Sequence, residues 1–326
     1  MIFLFFCFIA YRNRLFPSKL FHIDTITNGI EFIFLYNKDF RHKQLNKVIL
    51  NNFIKRALTG AFFVLAIIAG IWFNPIGYWA VFTIITALSQ WEFYKLVSHD
   101  TDVKFNKLTA VLGGTYLFFA TFMYAAQLMD KTIFLPYILF AIYTIVSQLY
   151  LKATNPIKGW AYTFLAQIMY VLPFCLLNFI SFGKDELGGS FYTPVITLSL
   201  FVFIWLNDTG AYLVGSRIGK HRLFERISPK KSWEGFWGGM IFAALGALGF
   251  SYFFAEIVWY NWIALSIITV IFGTWGDLAE SLLKRTIGVK DSSNLLPGHG
   301  GMLDRIDSIS LTIPAAYIYI LYIIQG

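Results

Sequence analysis

The chain has 326 residues, 57% hydrophobic and 19% aromatic but only 13% charged, whereas a soluble domain carries about a quarter of its residues as charges. That balance excludes a soluble enzyme and implies a protein embedded in a membrane; no nucleic-acid partner is expected for the excess of 26 Lys and Arg over 18 Asp and Glu. Cys7 and Cys175 both sit in apolar runs without a CxxC neighbour, so neither a disulfide framework nor a structural zinc site is implied.

The first segment, residues 1–49, stands apart. "MIFLFFCFIA" lacks a preceding positive charge and a small-residue cleavage site, and it is too short to span a bilayer. Tyr11 to Ile49 shows no sustained period, and a natural beginning follows at Leu50 with "LNNFIKRALTG". We expect residues 1–49 to be an extension that translation from Leu50 would omit, the alternative being a weakly structured cytoplasmic extension, and residues 50–326 to be one membrane-embedded domain.

A bilayer core about 30 Å thick takes roughly 20 apolar residues per helix. Nine candidate spans follow in chain order: Ala57 to Phe73, Ile76 to Lys95, Leu108 to Leu128, Ile133 to Leu151, Trp160 to Phe182, Phe191 to Gly215, Phe236 to Trp259, Trp262 to Leu283 and Ile309 to Ile324. The expected fold is therefore all-α and polytopic. Short cytoplasmic loops carry the Lys and Arg excess. With the N-terminus inside, the inner connections hold Arg41, Lys43, Lys47, Lys55, Arg56, Lys95, Lys104, Lys107, Lys152 and Lys158. After the sixth span come Arg217, Lys220, Arg222, Arg226, Lys230 and Lys231, and after the eighth Lys284, Arg285, Lys290 and Arg305. Only Lys131 and Lys184 fall outside. The bias predicts an N-terminus in the cytoplasm and a C-terminus beyond the membrane.

Acidic residues then mark the inner ends of the last four spans: Asp208, Glu234, Asp277, Glu280, Asp304 and Asp307. Ionisable groups at membrane depth are costly and usually face a bundle interior or an aqueous cavity. In "WGDLAESLLKR", Asp277, Glu280, Ser281 and Lys284 share one helix face at i, i+3, i+4 and i+7, and "LDRIDS" repeats the device with Asp304, Asp307 and Ser308. Two carboxylate-bearing helices can converge on one hard cation, with water and phosphate completing its shell, the usual arrangement for Mg²⁺. Between them "PGHGG", Pro297 to Gly301, cannot stay helical, and its bare backbone can aim N–H groups at an anion just before a helix begins. Lys230, Lys231, Lys284, Arg285, Lys290 and Arg305 supply positive charge in a balance that fits a polyphosphate.

Plainer readings stand beside these. Glu280 and Lys284 are also an ordinary i, i+4 pair, His299 also a loop cap, Lys104, Lys107, Lys152 and Lys158 topology signals, and Asp100 with Asp102 solvated loop charge. A transporter, too, places charged residues and broken helices inside a bundle, although no inverted repeat is visible and the acids gather at the boundary instead of mid-span.

The segment from Ser281 to Asp307, "SLLKRTIGVKDSSNLLPGHGGMLDRID", resembles the signature of the phosphatidate cytidylyltransferases, also called CDP-diacylglycerol synthases, and meets every specified position of it. The block Asn207 to Gly235 resembles the same family, and the likeness runs roughly from Asn51 to Ile324. It implies transfer of CMP from CTP to phosphatidic acid in the cytoplasmic membrane, with the active site on the cytoplasmic side and no protein nucleophile. It further implies Mg²⁺ held by Asp277 and Asp304, K⁺ as the candidate second cation, and Asp307 assisting. Lys284 and Arg285 join these as catalytic candidates; Asp208, Lys230, Lys231, Lys290, His299, Gly300, Gly301 and Arg305 are candidates for substrate binding. A homodimer is a candidate assembly. A CTP-dependent lipid kinase, or a cytidylyltransferase for another lipid phosphate, would use similar chemistry without being expected to match the whole signature.

Overall fold

The computed structural model describes residues 58–99, 103–184, 187–293 and 300–324. The expected boundary at Leu50, Asp100, Asp102 and His299 all lie outside the described residues. Contacts divide the chain into two compact units. One comprises residues 1–65 with 296–299, described only over 58–65, the first half of helix α1 (Leu58–Phe73). The other, 66–295 with 300–326, carries everything that follows.

The described residues are mostly helical, and each of the nine expected segments contains a helix. After α1 come α2 (Pro75–Val97), α3 (Lys107–Ala125) and α4 (Leu135–Ser147), the last entered through a 3₁₀ turn at Lys131–Phe134. Next are α5 (Pro156–Ala166) and α6 (Leu172–Ser181), joined by a π turn at Gln167–Val171, then α7 (Pro194–Ile218), α8 (Trp233–Phe253) and α9 (Trp259–Thr286). A single turn, α10 (Leu303–Ile306), precedes α11 (Ile309–Tyr319). Among the described residues, five helices are long and apolar enough to cross a bilayer: α3, the continuous Pro156–Ser181, α7, α8 and α9.

Local chemistry sets the boundaries. Asn74 and Asn155 cap α2 and α5 by accepting from the amides of Gly77 (2.6 Å) and Lys158 (3.1 Å), each with a proline next in sequence. A proline at the first helical position gives up only an N–H that has no partner there anyway. The fifth span therefore starts at Pro156, ahead of the expected Trp160. Pro173 causes the π turn before it, because it has no N–H to give the preceding turn and its ring crowds that turn. Other boundaries also differ from expectation. Phe191 belongs to a hairpin, β1 (Phe182–Lys184) with β2 (Ser190–Tyr192), and α7 begins only at Pro194. Trp259 opens α9 instead of closing α8. A second antiparallel hairpin, β3 (Arg222–Phe224) with β4 (Ser228–Ser232), interrupts the basic loop after α7.

Burial follows what a helix in lipid requires. Tyr78, Phe82, Phe93, Tyr94, Phe118, Phe174, Phe201 and Phe203 fill the interior, while Ile138, Leu139 and Ile142 of α4 stay more than half exposed, an outward apolar face suited to lipid. One buried polar network pairs side chains across helices, as hydrocarbon surroundings favour. Tyr78 donates to Asn178 Oδ1 (2.9 Å), whose Nδ2 donates to Thr121 (2.8 Å) and to the Phe118 carbonyl (3.1 Å), tying α2, α3 and α6 together. Helices α7 and α8 approach so closely that a methyl group at Gly210 would lie 2.8 Å from the Gly238 carbonyl oxygen. That packing carries Asp208 and the β3–β4 hairpin to the same end of the bundle as the last turns of α9.

Candidate active site

Helix α9 displays the expected face. Ser281 donates to Asp277 Oδ1 (3.2 Å), and Lys284 reaches Glu280 Oε1 (3.2 Å) one turn back. The Glu280–Lys284 pair is not an ordinary surface bridge: the two side chains are 1% and 9% exposed, and Lys284 Nζ also contacts Asp304 Oδ1 at 2.6 Å. A buried lysine between two acids is a cross-link between α9 and α10, since each charge depends on the others for the solvation that water no longer gives.

Asp304 has several close partners. Besides Lys284, its Oδ2 accepts from the Ser292 amide (3.1 Å), the Ser292 hydroxyl (3.0 Å) and the Gly301 amide (2.8 Å). Burial pushes its carboxyl up, but the Lys284 ammonium and the amides of Gly301 and Ser292 outweigh that and hold it below the usual carboxylate range. The glycines make this possible. Gly300 has φ +82°, a left-handed conformation, and a Cβ there would meet Asp304 Oδ2 at 2.6 Å; one on Gly301 would run into Ser292 Oγ and a carboxylate oxygen of Glu92. The Gly301 amide of "PGHGG" thus serves the protein's own carboxylate.

A second group forms around Asp277. Lys231, at the end of β4, places Nζ 2.6 Å from Asp277 Oδ2, both side chains being 29% exposed. Successive strand residues point to opposite faces, so Lys230 is turned away and exposed. Lys231 and Arg305 both lie within electrostatic reach of Asp208. Asp307 joins the group: desolvation, with the negative charges of Asp277 and Asp208 nearby, pushes its carboxyl above the usual carboxylate range, against the pull of the Ser308 amide and Lys231. Asp208, Asp277 and Asp307 are thus crowded at one place with Lys231 beside them, and crowding of acids is a condition that a cation relieves.

The candidates therefore divide. Asp208, Asp277, Asp307 and Lys231 gather in one group, and Asp304, Lys284 and Gly301 in the adjoining one, linked through the influence of Asp307 on Lys284. Arg285 is exposed and donates to the Val289 carbonyl (3.2 Å) at the end of α9, while Lys290 and Arg305 are exposed at the rim. Among the described residues, no set of three or more His, Cys, Asp and Glu side chains could hold a metal ion by itself. Carboxylate oxygens such as those of Asp277 and Asp304 are the donor type that hard divalent cations take.

Sequence reasoning missed Glu92 on α2. It is 4% exposed and accepts from Ser293 Oγ (2.6 Å), the Leu303 amide (3.0 Å) and Ser292 Oγ (3.3 Å). An acid inside an apolar span is a signal in itself, but this one lies in the second span, far in sequence from the last four, where the other acids gather.

Comparison with known proteins follows the same residues. The sequence model of the cytidylyltransferase family matches residues 54–323. A phosphatidate cytidylyltransferase of Haemophilus influenzae is 39% identical over 165 residues, 49% of this chain and 56% of the relative. Enzymes of the same name from Staphylococcus aureus and Staphylococcus epidermidis are 43% and 44% identical over 150 residues, 43% of this chain and again 56% of each relative. The chain thus spans little more than half the length of the curated relatives it matches. The family match, by contrast, covers most of the chain, including both acidic groups and the hairpin that brings Lys231 to them, and by that extent the chain belongs to the cytidylyltransferase family.

Proposed function

We propose that the protein transfers CMP from CTP to phosphatidic acid. A phosphate oxygen of the lipid attacks the α-phosphorus, the bond from that phosphorus to the bridging oxygen of the β-phosphate breaks, and pyrophosphate leaves with the electron pair. CDP-diacylglycerol is the lipid product. The observation that carries this reading is the side-by-side placement of two lysine–aspartate pairs, Lys231–Asp277 and Lys284–Asp304, each at 2.6 Å, beside the further acids Asp208 and Asp307. The names of the matched relatives point the same way.

Phosphoryl-type transfers rest on positioning and on stabilising charge. The lipid phosphate is already anionic, so no side chain need serve as nucleophile. Asp277 and Asp304 would hold Mg²⁺, with K⁺ as the second cation and Asp307 assisting; the metal supplies neutralisation of phosphate oxygens when bound. Lys231 and Lys284, close to those carboxylates, are placed to turn towards phosphate oxygens, and Lys230, Arg285, Lys290 and Arg305 provide the positive rim that draws the nucleotide in. CTP labelled at the α- or the γ-phosphate tests the reading: α-label entering lipid with phosphatidic acid supports it, γ-label entering lipid would make the protein a lipid kinase, and neither would favour transport.

The cytoplasm is the source of CTP, so nine spans with the N-terminus inside, and the site on the inner side of the cytoplasmic membrane, belong to the same proposal. With Cys7 and Cys175 replaced, a cysteine at Lys220 is expected to resist an impermeant thiol reagent in intact cells, and one at Lys184 to be labelled. Labelling at Lys220 would overturn the orientation.

A further inference from the structure

We infer that Glu92 is a positioning residue for the reaction, acting through Asp304; this rests on the reading of Asp304 as part of the phosphate and metal site. A carboxylate 4% exposed inside a helical bundle is costly unless donors satisfy it. Glu92 has three, and all come from the two sides of the signature segment: Ser292 and Ser293 before "PGHGG", and the Leu303 amide after it.

Two routes run from Glu92 to Asp304. The Ser292 hydroxyl is shared, 3.3 Å from Glu92 Oε2 and 3.0 Å from Asp304 Oδ2, so its orientation answers to both acids. The Leu303 amide, which Glu92 takes at 3.0 Å, belongs to the residue directly before Asp304, at the start of α10. Glu92 thereby sets where α10 begins and, through it, the direction of the Asp304 side chain. Gly301 seals the arrangement, because a Cβ at that position would enter the space between Ser292 Oγ and Glu92 Oε2. A carboxylate suits this position because it is acceptor-only and offers two oxygens to three donors. The partners lie about two hundred residues apart in sequence, so α2 is the post against which both sides of the signature segment are held in register.

The test uses the full chain in detergent-lipid micelles with CTP, phosphatidic acid and Mg²⁺. Glu92→Ala leaves the Ser293 hydroxyl and the Leu303 amide without their acceptor and the Ser292 hydroxyl with Asp304 alone, and kcat is expected to fall about a hundredfold with KM for phosphatidic acid within about twofold. The Mg²⁺ concentration for half-maximal rate should rise at least about fivefold, a shift that a fault confined to packing would not produce. Glu92→Gln decides the matter if the alanine variant does not fold. Its amide oxygen can still serve Leu303 while the Ser293 hydroxyl reverses to accept, so a smaller loss of about tenfold in kcat, with Tm near wild type, is expected. Adding Ser292→Ala to Glu92→Gln should cost less than the product of the two separate losses, since both disable one connection. A folded Glu92→Gln protein with wild-type kcat and wild-type Mg²⁺ dependence would overturn the inference. If the wild-type protein itself moves no CMP to lipid, the reaction assignment has failed, and Glu92 is then judged by binding alone. Mg²⁺ with CTP should raise the Tm of wild type more than that of Glu92→Gln, and equal shifts would reject the positioning role.

Discussion

Asp304→Asn protein is expected to lose at least about a thousandfold of its turnover, roughly 4 kcal/mol of transition-state stabilisation. The change removes one charge and turns one oxygen into a donor. In the structure that donor would confront either the Lys284 ammonium, now 2.6 Å from Oδ1, or the Ser292 and Gly301 amides grouped on Oδ2, so some local stability is lost as well. Asp277→Asn separates the two effects. Among the described residues its carboxylate has Lys231 (2.6 Å) and Ser281 (3.2 Å) as close partners, and it is 29% exposed, which limits what an amide can disturb. The expected result is a comparable loss of kcat with Tm almost unchanged, and a double Asp277→Asn, Asp304→Asn protein scarcely worse than either, as for residues that act as one unit. Asp130→Asn, exposed far along the chain beside the 3₁₀ turn, should stay near wild type. Folded Asp277→Asn protein with more than about a tenth of normal turnover at saturating Mg²⁺, a deficit of only about 1.4 kcal/mol, would remove the metal assignment.

The second large effect is on stability. Lys284 is 9% exposed and stands between Glu280, 1% exposed, and Asp304, 11% exposed. Lys284→Met keeps much of the side-chain volume but strips two buried acids of their cation. Breaking a buried pair from one side costs about 3–5 kcal/mol, because the remaining charge has neither water nor partner. In a chain of this size the melting temperature should fall by roughly 6–15 °C. Pairing the change with Glu280→Gln should recover part of the loss, since a buried pair replaced on both sides is often neutral, whereas Lys284→Arg keeps the charge and should be milder than Lys284→Met. A Lys284→Met protein melting within about 2 °C of wild type would mean that Lys284 is solvated in a way the burial of its side chain contradicts.

Much of this arrangement was legible in the sequence, and the physical reasons for success and failure differ by residue. The helical segments could be read because hydrocarbon permits few solutions to backbone hydrogen bonding. The shared face of Asp277, Glu280, Ser281 and Lys284 followed from the 3.6-residue period alone. Boundaries fared less well where apolar character misled: Phe191 lies in a hairpin and Trp259 begins a helix, because strands of three residues are too short to show alternation and an aromatic residue suits either element. The Asn–Pro pairs at 74–75 and 155–156 carried capping information that hydropathy ignores. Within the site, adjacent lysines looked equivalent, yet the pleat of β4 sends Lys231 to Asp277 and Lys230 outward. Glu92 could not be joined to Ser292 without the fold. Nor did the spacing of Asp277 and Asp304 disclose that each has its own lysine.

The most direct measurement follows product from the purified chain. Incubated with phosphatidic acid, Mg²⁺ and α-labelled CTP, wild-type protein should form a lipid whose mass is that of CDP-diacylglycerol, with one pyrophosphate released per lipid formed, and both should cease when the metal is chelated. Folded, nucleotide-binding protein that yields no CMP-bearing lipid from phosphatidic acid, or that releases pyrophosphate at the same rate without any lipid acceptor, would contradict the account.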